Sequence, residues 1–342
     1  MDGLTDAISI VEQWESAKCA SKIIIGPCSK SLIFILNYRI ASDHVEQPER
    51  VIYSIFELNK LWMDGIRWSV PKFRQFRNED ISYGHSVEYL DTLSEMSKTN
   101  PNYLLGAQHT CSTIIELIDQ ILTDESEPRY ALAVTRPAGH HCSRNTSSGF
   151  GLINNIANGA KYIRAKYHKR VMILDWDIHY SGGTTEILLS GSKLTDDLNF
   201  TEIDSSIYLI DVFGARGQEI KEYTRKKYNR NWMPFEYAEN ATFINVSLLS
   251  DSAGDEIYLN EVWPEVERQF ISFNPDILLV SCGFDAVKGD NEGFSVTPQG
   301  YQTMVERCKY LMSGKPILFA LEGGYKPDMV AQCIASVISG LH

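Results

Sequence analysis

Short apolar segments alternate along the chain with longer segments of helical periodicity, and this alternation restricts the fold more than any other feature. Apolar runs of about five residues are typical of strands buried on both faces of a parallel sheet. The pattern therefore predicts an α/β fold, with one central parallel sheet and helices on both faces. It continues over residues 1–342 without an internal repeat or a linker-like segment, so we expect a single domain.

The predicted elements follow this alternation. Strands are predicted at Leu32–Leu36, Tyr130–Val134, Val171–Asp175, Ile207–Val212, Phe243–Leu248, Ile277–Cys282 and Ile317–Leu321. Helices are predicted at Pro48–Trp62, His85–Ser97, Thr110–Leu122, Leu152–Tyr167, Ile257–Phe273, Pro298–Met312 and Asp328–Leu341. The segment Gly214–Asn240 is polar and irregular, which indicates a long surface excursion. It is either a lid over a site or an insertion without a role.

Polar clusters follow four of the predicted strands at the point where each strand ends. They read "RPAGHH", "DWDIH", "GFDAVKGD" and "LEGGY" in chain order. Because the carboxyl ends of parallel strands share one edge of a sheet, these residues should converge there. Ligand sites of open α/β sheets lie at that edge.

Three residues of these clusters have the chemistry of metal ligands. Asp177, His179 and Asp285 offer two oxygens and one nitrogen, and a catalytic zinc takes three such ligands while leaving a position open. On a strand, Asp177 and His179 would face the same side. An isolated Asp-x-His is otherwise typical of a solvated strand end. The matching position of Asp285 after another strand favours the metal site.

Two further residue patterns have the chemistry of acid–base and oxyanion groups. His140 and His141 are adjacent and suited to proton transfer near neutral pH, and Asp175 is a candidate partner to fix a tautomer. Tyr325 follows two glycines and could donate to a developing oxyanion. Taken singly, each pattern is also compatible with an ordinary surface position.

Composition limits the partners and the compartment. The net charge of −12 argues against direct nucleic-acid binding and favours cationic substrates such as basic peptide tails or polyamines. No apolar run approaches the roughly 20 residues of a membrane span. The seven cysteines form no CxxC pair, which predicts free thiols in a reducing compartment. We therefore expect an intracellular protein in the nucleus, the cytoplasm or both.

Together with "QPER", "GHSVEYL" and "GFGLINN", these clusters resemble the zinc-dependent histone deacetylase family, which includes acetylpolyamine amidohydrolases. The motifs occur in family order over most of the chain, and "RPAGHH", "DWDIH" and "LEGGY" are similar to the class II branch. An ordered set of this kind is far more specific than any one motif. The resemblance implies an arginase/deacetylase-like fold and hydrolysis of acetyl-lysine in proteins, or alternatively of acetylated polyamines.

The resemblance also implies a role for each matched residue. Zinc would be held by Asp177, His179 and Asp285. His140 and His141 would form the acid–base pair, with Asp175 orienting His140. Tyr325 would polarise the acetyl carbonyl, and Phe150 with Gly149 would form a wall of the substrate tunnel. Family members bind potassium as well, here through Asp175, Asp177 and His179, with Asp211 near a position that is often serine in the family. A carboxylate there would tighten cation binding, unless the alignment of this strand is shifted.

The chain departs from the family pattern beside the histidine pair. Tyr180 stands where a second histidine is usual, and Gly182 stands where an Asn or Asp would hydrogen-bond His141. Losing such a partner typically costs roughly 10–100-fold at a metal site. Ser181, Thr184 or a water could replace it. The departure motivates an alternative function, a non-catalytic reader of acyl-lysine. A two-metal hydrolase would need more carboxylates in this run.

Overall fold

The computed structural model describes residues 3–123, 129–189, 204–214, 243–248 and 253–342. Seven strands are β1 Ile23–Gly26, β2 Tyr130–Ala133, β3 Val171–Asp175, β4 Ile207–Gly214, β5 Phe243–Leu248, β6 Ile277–Cys282 and β7 Ile317–Leu321. They form one sheet in the order β1-β2-β7-β6-β3-β4-β5, and every neighbouring pair is parallel. The predicted central parallel sheet is confirmed.

Helices cover both faces of this sheet, as predicted. They are α1 Gly3–Ala17, α2 Ser29–Leu36, α3 Glu49–Met63, α4 Val87–Ser97, α5 Pro101–Thr123, α6 Asn155–Tyr167, α7 Gly182–Leu189, α9 Pro298–Met312 and α10 Pro327–Leu341. Helix α8 starts at Asp255–Ile257 and passes through a π-helical turn at Tyr258–Val262 into Trp263–Phe273. A 3-10 turn lies at Asn78–Ile81.

The alternation of side chains along each strand builds two apolar cores, one on each face. In β3, Met172 and Leu174 join the core formed with α1, α3, α8, α9 and α10. Val171 and Ile173 join the opposite core, formed with α5 and α6. Because both faces are covered, all five residues of β3 are buried. This burial explains why the strand reads as a continuous apolar run in the sequence.

The first predicted strand is wrong. Leu32–Leu36 lies in helix α2, where Leu32, Ile35 and Leu36 are buried and Ile33 is 44% exposed. That spacing of three and four residues is helical, and a window of only five residues hides it. The edge strand is instead β1, whose four residues "IIIG" are too short to stand out by periodicity.

Several other expectations concern surface and boundary features. Helix α5 starts nine residues before the predicted Thr110, at Pro101. Apart from Gly214, which ends β4, the predicted excursion Gly214–Asn240 lies outside the described residues. Within the described ranges, no helix is long and apolar enough to cross a membrane. All seven cysteines are free thiols, as the sequence predicts.

Candidate active site and metal centre

The four polar clusters converge at one edge of the sheet. They follow β2, β7, β6 and β3, which are consecutive neighbours in the strand order. The convergence predicted from the sequence is therefore confirmed. It brings together residues that lie as far apart in the chain as His140 and Tyr325.

Asp177, His179 and Asp285 form one compact group, with ligand atoms that all lie within 4.8 Å of one another. The strand argument for Asp177 and His179 is wrong, because β3 ends at Asp175 and both residues lie in the loop that follows. Main-chain hydrogen bonds set their positions instead. The Ile178 N–H donates to Asp285 Oδ1 at 2.9 Å, and the Gly323 N–H donates to Asp177 Oδ2 at 2.7 Å.

The electrostatics of this group fit a cation. His179 Nδ1 lies 2.9 Å from Asp285 Oδ2 and 3.0 Å from Asp177 Oδ1. Burial alone lowers the pKa of His179, but the two carboxylates raise it to about 11. Because the two carboxylates stabilise a proton on His179 so strongly, they would also stabilise a metal ion in place of that proton. Two carboxylate oxygens and one imidazole nitrogen suit zinc.

His140 has a buried carboxylate partner. Its Nδ1 lies 3.1 Å from Asp175 Oδ2, and both side chains are buried. Burial lowers the pKa of His140, but the charges of Asp177 and Asp175 raise it well above the usual value. The predicted pairing of Asp175 with His140 is thus present in the structure. The buried carboxylate of Glu322 also accepts the main-chain N–H groups of Gly139 and His140, at 2.7 and 3.2 Å.

The surroundings of His141 differ from those of His140. Its ring centroid lies 4.1 Å from that of His140 and 5.8 Å from that of His179. Burial and the neighbouring His140 lower the pKa of His141 to about 3, while a hydrogen bond to the Tyr180 main chain opposes the shift. Gly182 offers His141 no side-chain partner, and the Tyr180 main chain lies near the His141 ring.

Neither hydroxyl considered from the sequence takes that place. The Ser181 hydroxyl donates to Asp211 Oδ2 at 2.7 Å. The Thr184 hydroxyl accepts from Asn154 Nδ2 at 3.1 Å and lies 3.4 Å from the His140 carbonyl. A Cβ at Gly182 would lie 3.1 Å from the ring of Tyr180, so that ring would have to shift for a larger residue.

Phe150 and Gly149 lie where a substrate tunnel is predicted. The Phe150 ring is perpendicular to the ring of Tyr325, with centroids 6.0 Å apart, and it is 37% exposed. Gly149 has a φ of +56°, and a Cβ there would lie 2.1 Å from Cδ2 of His141. Only glycine allows this close approach in this conformation.

The loop that carries Tyr325 is fixed from both sides. The Tyr325 N–H donates to Asp290 Oδ2 at 2.6 Å. The buried Arg50 guanidinium donates to the carbonyls of Glu322 and Gly324 and lies 5.3 Å from the Tyr325 ring. Burial and nearby carboxylates raise the pKa of Tyr325 well above its usual value, so its hydroxyl remains a proton donor.

Sequence analysis did not single out Arg50, Glu322 or Asp290 as functional. Their motifs are visible, since Arg50 belongs to "QPER", Glu322 to "LEGGY" and Asp290 to "GFDAVKGD". The contacts are not visible, because Arg50 reaches carbonyls 272 and 274 residues later in the chain. Only folding brings these groups together.

Of the predicted cation-site residues, Asp175 and Asp211 lie side by side. They are partners in the register of β3 and β4, and both are completely buried. Burial and the charge of Asp175 raise the pKa of Asp211 well above its usual value. Asp177 and His179 lie in the loop immediately beyond β3, where they belong to the metal-ligand group described above.

Comparisons with known proteins identify the family of the chain. The histone deacetylase domain model matches residues 44–341. Histone deacetylase 6 of Caenorhabditis elegans is 32% identical over 244 residues, which cover 68% of this chain and 23% of that protein. Histone deacetylase HDA1 of Saccharomyces cerevisiae is 27% identical over 343 residues, covering 89% and 45%. The polyamine deacetylase HDAC10 of Danio rerio is 25% identical over 318 residues, covering 87% and 44%.

The fold is shared with a solved structure as well. The crystal structure of the HDA15 HD domain superposes with a TM-score of 0.76 at 23% identity, covering 93% of this chain and 88% of that one. This likeness establishes the arginase/deacetylase-like α/β fold. The chain spans less than half the length of each of the three relatives named above. By its domain match and its relatives, the chain belongs to the histone deacetylase family.

Proposed function

We propose that the protein is a zinc-dependent deacylase that hydrolyses the amide of acetyl-lysine in proteins. The observation that carries the proposal is the group Asp177, His179 and Asp285, with ligand atoms within 4.8 Å of one another, beside the histidine pair. The names of the histone deacetylase relatives support the reaction class.

The side chains around the metal group have distinct tasks in this proposal. Bound zinc would lower the pKa of its water and polarise the acetyl carbonyl. His141, whose pKa is low, accepts a proton, while His140 is held by Asp175 in an orientation suited to donation. Tyr325 donates its hydroxyl hydrogen to the developing oxyanion. Phe150, which is 37% exposed, lines the approach to the site in this proposal.

The test is kcat/KM of the zinc-loaded protein on an acetyl-lysine peptide, with Tyr325→Phe beside the wild type. We expect turnover to fall about 100-fold in the variant with zinc content unchanged, because one oxyanion donor is lost. Tyr310→Phe, at a residue that is 82% exposed, is the matched control and should retain full activity. Peptide binding without turnover in the wild type would instead establish the reader.

One observation favours the second candidate substrate class, acetylated polyamines. Glu292 Oε1 lies 3.8 Å from His179 Nε2, on the side of the ring opposite the metal-facing Nδ1, and its side chain is 28% exposed. A carboxylate at the edge of the metal group would attract the additional cationic nitrogens of a polyamine. Polyamine deacetylases are among the relatives of the chain.

Glu292→Gln separates the two substrate classes. If the carboxylate selects polyamines, kcat/KM on N8-acetylspermidine falls about tenfold, the effect of roughly 1.4 kcal/mol, while the acetyl-lysine peptide is unaffected. If Glu292 only orients His179, both substrates lose activity together and zinc affinity falls as well. The polyamine proposal fails in that second case.

A further inference from the structure

The loop between β2 and α6 contains a two-residue turn that places Phe150 beside the site. The Gly151 N–H donates to the Ser148 carbonyl at 3.0 Å, and the two residues between them are Gly149 and Phe150. Their φ values are +56° and +63°. A positive φ is common for glycine but uncommon for a bulky residue such as phenylalanine. Contacts from elsewhere in the fold must therefore stabilise this conformation at Phe150.

One such contact is made by Tyr103, which lies in the first turn of helix α5. Its hydroxyl donates to the Phe150 carbonyl at 2.5 Å, although the two residues are 47 positions apart in the chain. Burial and the charge of Glu46 raise the pKa of Tyr103 well above its usual value, so the hydroxyl keeps the proton that it donates. The hydrogen bond thus fixes the orientation of the peptide group that follows Phe150.

Tyr103 is itself held by a well-packed part of the fold. Helix α5 runs for 23 residues, and Tyr103 packs against the apolar core that α5 forms with α6. The Tyr103 N–H donates to Asn100 Oδ1 at 3.2 Å, and the Tyr103 ring lies 4.9 Å from the buried ring of Tyr38. The Arg136 guanidinium in turn lies 3.7 Å from the centre of the Tyr38 ring. The Tyr103 hydroxyl is therefore a fixed point to which the turn is tied.

The two residues of the turn face different parts of the site. Gly149 lies against the ring of His141, where a Cβ would come within 2.1 Å of Cδ2. The Phe150 ring is perpendicular to the rings of His44 and Tyr325, with centroids 4.6 and 6.0 Å away. One end of the turn thus contacts a histidine of the acid–base pair, and the other end contributes an aromatic ring to the wall beside the tyrosine.

We propose that Tyr103 is a positioning residue, which sets the direction of the Phe150 ring by holding the Phe150 carbonyl. This role rests on the proposed function, in which Phe150 lines the approach of the acyl-lysine side chain. Without the Tyr103 hydroxyl, the hydrogen bond between Gly151 and Ser148 still closes the turn. The residue beside His141 then keeps its place, while the Phe150 ring does not. Substrate binding should therefore weaken while the chemical step is retained.

The test compares Tyr103→Phe with Tyr89→Phe, which is a closely matched control. The Tyr89 hydroxyl donates to the Leu152 carbonyl at 2.8 Å, in the same loop but outside the turn, so each variant loses one hydroxyl-to-carbonyl hydrogen bond. We expect Tyr103→Phe to raise KM for an acetyl-lysine peptide about tenfold and to leave kcat nearly unchanged. Tyr89→Phe should lower Tm by a similar amount but leave KM unchanged.

Two further measurements do not depend on turnover. Replacement of Phe150 by 4-fluorophenylalanine gives a fluorine NMR resonance, which should shift or broaden in Tyr103→Phe and stay unchanged in Tyr89→Phe. The Kd of a fluorescent acetyl-lysine peptide should rise about tenfold in Tyr103→Phe only. If the wild type binds the peptide without turnover, the deacylase function fails, and these two measurements still decide the role of Tyr103.

The variant Phe150→Gly tests whether Tyr103 acts through the turn. Glycine adopts a positive φ without strain, so adding Tyr103→Phe to Phe150→Gly should leave KM at the value that Phe150→Gly alone produces. An equal rise of KM from Tyr103→Phe in both backgrounds would overturn the proposal. The same conclusion would follow from an unchanged KM and Kd in Tyr103→Phe, or from an equal rise in Tyr89→Phe.

Discussion

His140 and His141 are adjacent in the chain, and their rings lie 4.1 Å apart, yet the two halves of the site hold them by different means. In one half, a buried carboxylate from the end of β3 faces His140. In the other half, His141 lies near the main chain of Tyr180. Burial lowers the pKa of His140, but the charges of Asp177 and Asp175 raise it well above its usual value, whereas burial and the neighbouring His140 lower the pKa of His141 to about 3. Environments that separate the pKa values of neighbouring groups are typical of acid–base pairs.

The comparison shows that a changed motif need not remove a histidine from the site. Gly182 offers no side-chain partner to His141, and the main chain of Tyr180 acts on the ring instead, raising its pKa against the larger lowering by burial. A carbonyl can orient an imidazole, although it cannot stabilise the imidazolium as a carboxylate does. We therefore expect His141 to serve as a neutral proton acceptor.

Removing the carboxylate of the His140 half should have the largest effect. Asp175→Asn would leave His140 without its ion-pair partner, and we expect kcat to fall about 100-fold. Asp91→Asn, at an exposed position, is the matched control. Steady-state kinetics with zinc content determined in parallel provide the measurement. An unchanged kcat would mean that the ion pair of Asp175 with His140 does not contribute to catalysis, so it would not make the His140 half different from the His141 half.

Disturbing the packing of the His141 half should have the next largest effect. In Gly149→Ala the new Cβ meets the His141 ring, so the ring must move, and we expect kcat to fall about tenfold. Gly65→Ala is the control, because Gly65 also has a positive φ, +103°, but nothing within 4 Å of a Cβ. Equal loss of activity in both variants would show that backbone strain, rather than the position of His141, is responsible.

Restoring the family pattern should produce a gain. The double variant Tyr180→His with Gly182→Asp removes the ring that lies 3.1 Å from a Cβ at residue 182 and offers His141 a carboxylate. We expect kcat to rise several-fold, up to about tenfold. The single variant Tyr180→His is the control, because it replaces the tyrosine ring without adding a carboxylate at residue 182. If kcat does not change, His141 is already held in a productive orientation without a carboxylate at residue 182.

The smallest effect on activity at neutral pH is expected from replacing His85, which positions Asn154 beside the main chain of the histidine pair. His85 is completely buried, with its Nε2 accepting the Asn154 N–H at 2.9 Å, and Asn154 Nδ2 in turn donates to the His140 and Cys142 carbonyls. Burial lowers the pKa of His85 to about 4, below the usual 6.5. The unfolded chain therefore binds more protons, and stability falls as the pH drops from 6.5 towards 4.

Chemical denaturation between pH 7 and 4.5 measures this linkage. We expect the wild type to lose about 2 to 3 kcal/mol through His85 over this range, and His85→Gln to show a correspondingly shallower pH dependence. Activity at pH 7 should change little, because glutamine can also donate and accept. Parallel curves for the two proteins would show that His85 is not the titrating group.

Particular elements show how far sequence reasoning reaches. The strands β3, β5, β6 and β7 lie at their predicted bounds. For β3, β6 and β7 the reason is that strands buried on both faces leave a continuous apolar run. The run at Leu32–Leu36 was wrongly predicted as a strand for the same reason. A short, mostly buried helix also reads as a continuous apolar run. Hydrogen-bond partners such as the Glu322 carboxylate for the Gly139 N–H follow from the path of the backbone, which residue identities do not give.

The sequence by itself determined the alternating architecture and the identity of the chemical groups at the sheet edge. Periodicity records which face of each element is buried, and the side chains that follow the strands are present whatever their exact geometry. The tertiary structure decided how those groups are paired: Asp175 with His140, Ser181 with Asp211, and Arg50 with the carbonyls beside Tyr325. These pairings depend on distances between residues remote in the chain, and only the register of the strands and the packing of the helices fix such distances.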